Sequence, residues 1–263
     1  MPRLDGPVAF RGGGFAPRDH GLAGAATLIG LVLLWQAGAS LGLIHSLFLP
    51  APVTIAAALY DLTISGELWR HLSASLARLA IGWTIGTVCG ISVGLAVGLW
   101  SAARSPGMAV VSALFPIPKI ALVPLFIIWF GIGEGSKIVT LAFGVFFPTV
   151  IATVGGVDNV SRGLIRMGQS FGLPATDIVA KIVLPGAMPG ILAGFRISAS
   201  VALLLLVAAE MIGAQYGIGA FVLTAGNLMQ TDQLLAGVVV LSILGLLISW
   251  GLGTVERSVL RWR

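Results

Sequence analysis

The sequence predicts an all-α, polytopic membrane protein with six transmembrane helices, and three observations carry that prediction. Hydrophobic residues fill 57% of the 263 positions and charged residues only 10%, with a mean hydropathy of +1.02, against roughly 25% charged residues in soluble domains. A soluble chain with so few charges could not cover its surface. In lipid the deficit is required, because each centrally placed charge costs ~2.5–3.5 kcal/mol on insertion scales. The charge-free windows are also long enough to cross ~30 Å of hydrocarbon at 1.5 Å per residue, and too continuous for a β-barrel. Finally, the basic residues gather on one side of the arrangement that these windows define.

The elements follow in chain order. Residues 1–20, with Gly12-Gly13-Gly14 and interspersed prolines, read as a flexible tail. The first span, Gly21–Ile44, is longer than a typical signal core, and Ser40–Leu49 offers no small-residue cleavage pattern. Residues 45–75 form the longest outer segment. There Pro50-Ala51-Pro52 opens a short helix through Tyr60, and Gly66 separates it from a second beginning near Glu67. The second span, Leu79–Ala103, carries Gly82, Gly86, Gly90, Gly94 and Gly98 at every fourth position. At 3.6 residues per turn they make a stripe without side chains that another helix can approach closely, within the bundle or across a dimer; lining a pore is the alternative. Cys89, in the middle of this span, reads as a small packing residue. As the single cysteine it excludes an internal disulfide and argues against a metal cluster.

The third span, Ser105–Gly133, contains one charge, Lys119, among Pro116, Pro118 and Pro124. Internal prolines kink a helix, so a bent helix is expected. Lys119 either attracts an anion in a pathway or lies near the interface and reaches water. Gly131–Lys137 superficially resembles a phosphate loop but lacks the G-K-[ST] ending, and reads as a turn before the fourth span, Ile138–Val157. The fifth span, Gly190–Gly213, holds Arg196 and Glu210. Fourteen positions put them ~21 Å apart along a helix, too far to pair. Glu210 faces protein rather than lipid, in the pathway or against a neighbouring helix. The sixth span is Gln233–Val255.

Placing both termini in the cytoplasm leaves Arg3, Arg11, Arg18, Arg104, Arg162, Arg166, Lys181, Arg257, Arg261 and Arg263 inside. Arg70 and Lys137 fall outside, and Arg78 starts a span. The net charge of +5 is thus a topology signal, and bases dispersed between spans exclude a nucleic-acid role. His20, His45 and His71 lie in the tail or outer segment, so no catalytic set is suggested. Residues 21–263 are read as a single membrane domain.

The most informative stretch is the polar break at about 158–189. Val160, Leu164, Met167 and Phe171 stand near helical spacing, interleaved with Arg162, Arg166 and Gln169, which predicts a short amphipathic helix. Gly172 suits the left-handed position beyond its end, and Pro174 follows where a helix does not continue. Pro174-Ala175-Thr176-Asp177 starts a second helix that stops before Pro185, and Pro189 suits the first turn of the fifth span. Such a module can project a rigid knob, with Met167 and Phe171 filling a groove on a partner.

Gly172 with Ile182, Leu184 and Pro185 makes the pattern G-x9-I-x-L-P, which resembles the cytoplasmic "EAA" loop of ABC importer permeases. L-P-A-P (Leu49–Pro52), P-I-P-K-I-A-L-V-P-L-F-I-I-W-F-G-I-G (Pro116–Gly133) and A-A-E-M-I-G (Ala208–Gly213) resemble the nitrate/sulfonate/taurine (bicarbonate-related) family of these permeases. The likeness runs from about Leu49 to the C-terminus. It implies a type I importer fold in a bacterial cytoplasmic membrane, a permease homodimer, two cytoplasmic ATP-binding subunits and an extracytoplasmic substrate-binding protein. It also implies that ATP and Mg are bound by the ATPase and that this chain holds no cofactor. The solute would be a small anion such as a sulfonate, nitrate or carboxylate. The coupling residues implied are Arg166, Met167, Gly168, Gln169, Ser170, Phe171, Gly172, Leu173, Pro174, Asp177, Ile182, Leu184 and Pro185. One departure stands out: Arg166-Met167-Gly168 replaces the usual E-A-A, so the acidic contact is missing. Two rivals fit less. An ion-coupled secondary transporter needs mid-membrane titratable groups, for which only Lys119 and Glu210 are available. A non-transporting scaffold explains the glycines but not the loop.

Overall fold

The computed structural model describes residues 21–261; the tail of residues 1–20, with Arg3, Arg11, Arg18 and His20, and Arg263 lie outside the described residues. The described chain is built from helices and turns. They are α1 (Gly21–Ser40), α2 (Pro52–Ile64), α3 (Glu67–Leu99), α4 (Ser101–Leu114), α5 (Val123–Phe130), α6 (Glu134–Asp158), α7 (Arg162–Ser170), α8 (Ala175–Ile178), α9 (Leu184–Gly213), α10 (Ile218–Asn227) and α11 (Thr231–Val259). A 3-10 turn (Lys119–Leu122) precedes α5, and a π turn (Val179–Val183) joins α8 to α9.

Local chemistry sets most of these boundaries. Pro52 occupies the first turn of α2, where its missing N–H costs no bond. Gly66, at φ +80°, turns the chain from α2 into α3. The expected corner is therefore present, but α3 runs unbroken from Glu67 to Leu99. The second span does not start at Leu79, and Arg78 lies well inside its helix. A charge-free window cuts a helix short wherever a buried, paired charge sits within it. The helix pair of the third span is bent by 85° between Ser101–Leu114 and Lys119–Phe130. Pro116 and Pro118 fall in the break, and Pro124 stands in the first turn of α5. The proline-driven bend is therefore a sharp corner rather than a gentle kink.

Four helices (α3, α6, Ala175–Gly213 and α11) are long and apolar enough to cross a membrane, and the bent pair makes a fifth if it crosses as one. The expected sixth, α1, spans 20 residues, of which Gly24–Ser40 is a shorter apolar helix.

Helix α6 is the axis of the bundle, with Leu141, Val145 and Val150 fully buried. Its register with α3 is constant: a Cβ on Gly82 would meet Leu141, on Gly86 Val145, on Gly90 Thr149, on Gly94 Thr153 and on Gly98 Val157. The two helices run parallel, and the glycine stripe lets their backbones touch inside one chain. Beside α3, α6 also meets α9 through a second set of small residues, where a Cβ on Gly190 would lie 2.7 Å from the Gly156 Cα. Cys89 is exposed on α3, so it is not the internal packing residue expected.

Candidate functional site

At one end of the bundle the chain leaves α6 and builds a projecting corner. Helix α7 ends in a Schellman motif: the N–H of Leu173 bonds the Gly168 carbonyl at 3.1 Å, and that of Gly172 the Gln169 carbonyl at 3.0 Å. Gly172 supplies the left-handed residue, at φ +72°. Pro174 then caps α8, accepting the N–H groups of Asp177 at 3.0 Å and Ile178 at 3.1 Å. A 2.8 Å ion pair between Lys181 and Asp177 spans one helical turn.

Arg166, Met167, Gln169, Ser170, Phe171, Gly172, Leu173 and Pro174 are all exposed. Met167 is 50% and Phe171 78% accessible, large values for apolar side chains beside a polar backbone corner. Gly168 is the buried member: a Cβ there would meet Ile182 Cδ1 at 3.0 Å and Ile178 Cγ1 at 3.4 Å. It lets α7 settle on the helix that follows. Beneath, Val160, Ile178, Val183, Ala187 and Ile191 form a buried cluster with Ile165 and Ile182 against it. Val160 thus belongs to the root of the module and not to the exposed face with Leu164, Met167 and Phe171.

The second helix does not stop before Pro185. It continues through the π turn into α9, where the Leu184 N–H bonds the Val179 carbonyl five residues back. A widened turn accommodates the proline ring and its missing donor without a break. Pro185 then sits in the first turn of α9, and Pro189 inside it. Leu184 and Pro185 are half-buried at this joint.

The other end of the bundle holds a buried charge network that sequence reasoning missed. Arg78, 4% exposed, donates from Nη1 to Glu210 Oε1 at 2.7 Å and to the Tyr216 carbonyl at 2.6 Å. Its Nη2 reaches Glu134 Oε1 at 2.7 Å, and Nε holds the other Glu134 oxygen. Lys137 Nζ stands 3.5 Å from Glu134 Oε1. Glu210 also accepts Ser75 Oγ–H at 2.8 Å and the Gly219 N–H at 2.9 Å. Ser75 in turn accepts the Ile218 N–H at 2.9 Å. Glu210 therefore caps α10 from α9, satisfying a donor that the first turn leaves free. Gly217, at φ +145°, is obligatory here because a Cβ would lie 2.4 Å from the Glu210 carboxyl carbon. The partners of Arg78 lie 56 to 138 residues from it in sequence, beyond any local periodicity. The only signal was that Arg78, Glu134 and Glu210 each interrupt or border an apolar run.

Lys119 starts the 3-10 turn at the bend. It hydrogen-bonds the Phe115 carbonyl, and its ammonium lies 5.0 Å and 5.2 Å from the ring centroids of Phe115 and Phe147. Among the described residues no carboxylate lies within ion-pair distance of it. The structure thus separates the two candidate pathway residues: Glu210 is saturated by its own chain, while Lys119 has only a carbonyl and two rings. Arg196 pairs with Glu256 at 2.7 Å, in keeping with its distance from Glu210.

Comparison with known proteins gives a uniform result. Residues 86–261 match the family model described as "Binding-protein-dependent transport system inner membrane component". The taurine transport system permease protein TauC of Escherichia coli is 39% identical, covering 90% of this chain and 88% of its own. The putative aliphatic sulfonates transport permease protein SsuC of Bacillus subtilis is 34% identical, covering 89% and 84%. Among solved structures, a chain of the inward-facing MetNI methionine ABC transporter superposes with a TM-score of 0.65 at 23% identity, covering 73% of this chain and 97% of its own. At that identity the match speaks to the fold alone.

Proposed function

This chain belongs to the family of binding-protein-dependent transport system inner membrane components and is a permease subunit of an ABC importer, multi-pass in the inner membrane; from that premise we propose how it works and on what. The importer's partners are an ATPase and a substrate-binding protein. In the proposed assembly two copies of this chain pair with two ATPase subunits, which bind ATP and Mg. Both termini and the α7 corner face the cytoplasm, as the distribution of Arg and Lys favours. Met167 and Phe171 then enter a groove on the ATPase, with Arg166 meeting acidic residues where relatives of the resemblance family carry glutamate.

The observation that carries this proposal is the pair of exposed apolar side chains on a Gly172-locked corner, rooted in a helix continuous with a span. ATP-driven closure of the ATPase pair would pull that corner and tilt α9. A substitution at Gly172 tests it. Gly172→Val will reduce substrate uptake at least about fivefold while membrane levels stay unchanged, since a left-handed β-branched residue costs on the order of 1–3 kcal/mol. No atom lies within 4 Å of the added Cβ, so the effect is conformational. Gly172→Asn, which tolerates this conformation, will keep most activity and copurify with the ATPase as wild type does. Normal uptake in Gly172→Val removes the corner from the mechanism.

The proposed solute is a small sulfonate, supported by the names of the two permease relatives and by an unpaired cation, Lys119, at the bend of the third span. Lys119→Ala will lower the uptake efficiency for taurine about tenfold, the value of one charge-assisted hydrogen bond, and leave ATPase copurification intact. Unchanged uptake kinetics would return Lys119 to an interfacial role.

A further inference from the structure

We propose that Arg78 and Lys137 form an anion-binding site whose present occupant, the Glu134 carboxylate, is exchangeable, and that the transported sulfonate displaces it. The inference rests on the sulfonate reading above and adds a second contact point, at the end of the bundle opposite α7. Burial is the first argument. The side chains of Arg78 and Lys137 are 5% and 6% exposed, whereas that of Glu134 is 58% exposed. The cations are fixed by packing and the carboxylate is not. Glu134 is the first residue of α6 and follows Gly131, at φ +82°, and Gly133, around which no atom lies within 4 Å of a built Cβ. Rotation at that glycine-flanked start moves the carboxylate into solvent without disturbing the helix. Glu210, by contrast, is wholly enclosed and held by three groups, so it stays and keeps the site from becoming an uncompensated pair of buried cations.

Oxygen count is the second argument. A carboxylate has two oxygens, and both are taken by the fork of Arg78 Nε and Nη2. That leaves Lys137, a buried ammonium with three donors, a single contact at the long distance of 3.5 Å. A sulfonate offers a third oxygen in tetrahedral disposition. Two can replace those of Glu134 on Arg78 while the third shortens the contact to Lys137. The site therefore favours oxyanions with three oxygens over carboxylates. With an aminosulfonate, the freed Glu134 can accept the ammonium group at the other end of the molecule.

The test uses the detergent-purified permease–ATPase complex without its binding protein. Saturable thermal shifts are measured with ethanesulfonate, propionate and sulfate for wild type, Glu134→Gln and Lys137→Gln. Each variant is scored by its own ethanesulfonate-to-propionate affinity ratio, so any general loss of stability cancels. Glu134→Gln should bind ethanesulfonate about tenfold tighter than wild type, because a neutral amide competes poorly for Arg78. Lys137→Gln should bring the ratio to about one. Equal ratios in wild type and Lys137→Gln, or no saturable shift with ethanesulfonate in Glu134→Gln, overturn the proposal. Sulfate binding with no response to ethanesulfonate overturns it as a substrate site. If ethanesulfonate binds as expected but the assembled importer takes up no taurine, the site stands and the sulfonate assignment above falls.

Discussion

Gly86→Val will lower the melting temperature of the folded permease by roughly 10 °C or more. A Cβ at this position would lie 2.5 Å from the Ala142 carbonyl oxygen and 2.8 Å from the Val145 Cβ. The first of these is backbone, so no rotamer change relieves it. Either α3 separates from α6 along its length or the local turn unwinds. Overpacking into yielding side chains costs about 1–3 kcal/mol; against a carbonyl in the central helix pair the cost lies at or above the top of that range. A loss of about 3 kcal/mol corresponds to roughly 10 °C in a chain of this size. The measurement is the size-exclusion profile and melting temperature of a fluorescent fusion in detergent. Gly155→Val is the control: it lies on α6 with nothing within 4 Å of the built Cβ and should melt within a few degrees of wild type. A monodisperse Gly86→Val protein with wild-type melting would mean that α3 and α6 are not apposed through the glycine stripe.

Glu210→Gln will be nearly as damaging as Glu210→Ala, although the side chains of glutamate and glutamine have the same shape. Both carboxylate oxygens accept: Oε1 from Arg78 and Ser75, Oε2 from the Gly219 N–H. An amide has one oxygen to offer, so in either orientation its NH2 faces a donor inside a fully buried site. Breaking a buried ion pair by removing one partner costs about 3–5 kcal/mol, and the orphaned α10 donor adds to it. The loss is local in its first effect. Amide exchange at the start of α10 should accelerate by tenfold or more before the rest of the bundle responds, and melting should fall by roughly 10 °C. Wild-type exchange at Ile218 and Gly219 in Glu210→Gln would show that the cap is not formed.

What the sequence disclosed was whatever depends on near neighbours. The Gly66 corner, the proline bend before α5, the packing stripe from Gly82 to Gly98 and the left-handed Gly172 each follow from one residue type in a local pattern, and each is present. What it hid depends on distant partners. Arg78 shortened the apparent second span because a window cannot know that Glu210 neutralises it 132 positions later. Pro185 read as a stop because a proline ends an α-helix, and only the π turn before it removes that objection. Cys89 read as packed because its span is apolar on every side, so burial could not be told from contact with lipid. Glu210 was expected against protein, and its oxygens go to α3 and α10 rather than to open space.

The unbroken run from Ala175 to Gly213 has a mechanical consequence. Its 39 residues make a rod of about 58 Å at 1.5 Å per residue. One end carries the Gly172 corner, and Glu210, three positions before the other end, grips the first turn of α10. No loop intervenes, although the run includes the π turn and Pro189, and it packs on α6 along its length, with Gly190 against Gly156, Gly194 against Ala152 and Leu205 against Gly144. Under the proposed coupling, a load applied at the corner is therefore carried along one continuous backbone to Glu210, whose carboxylate holds both the first turn of α10 and Arg78.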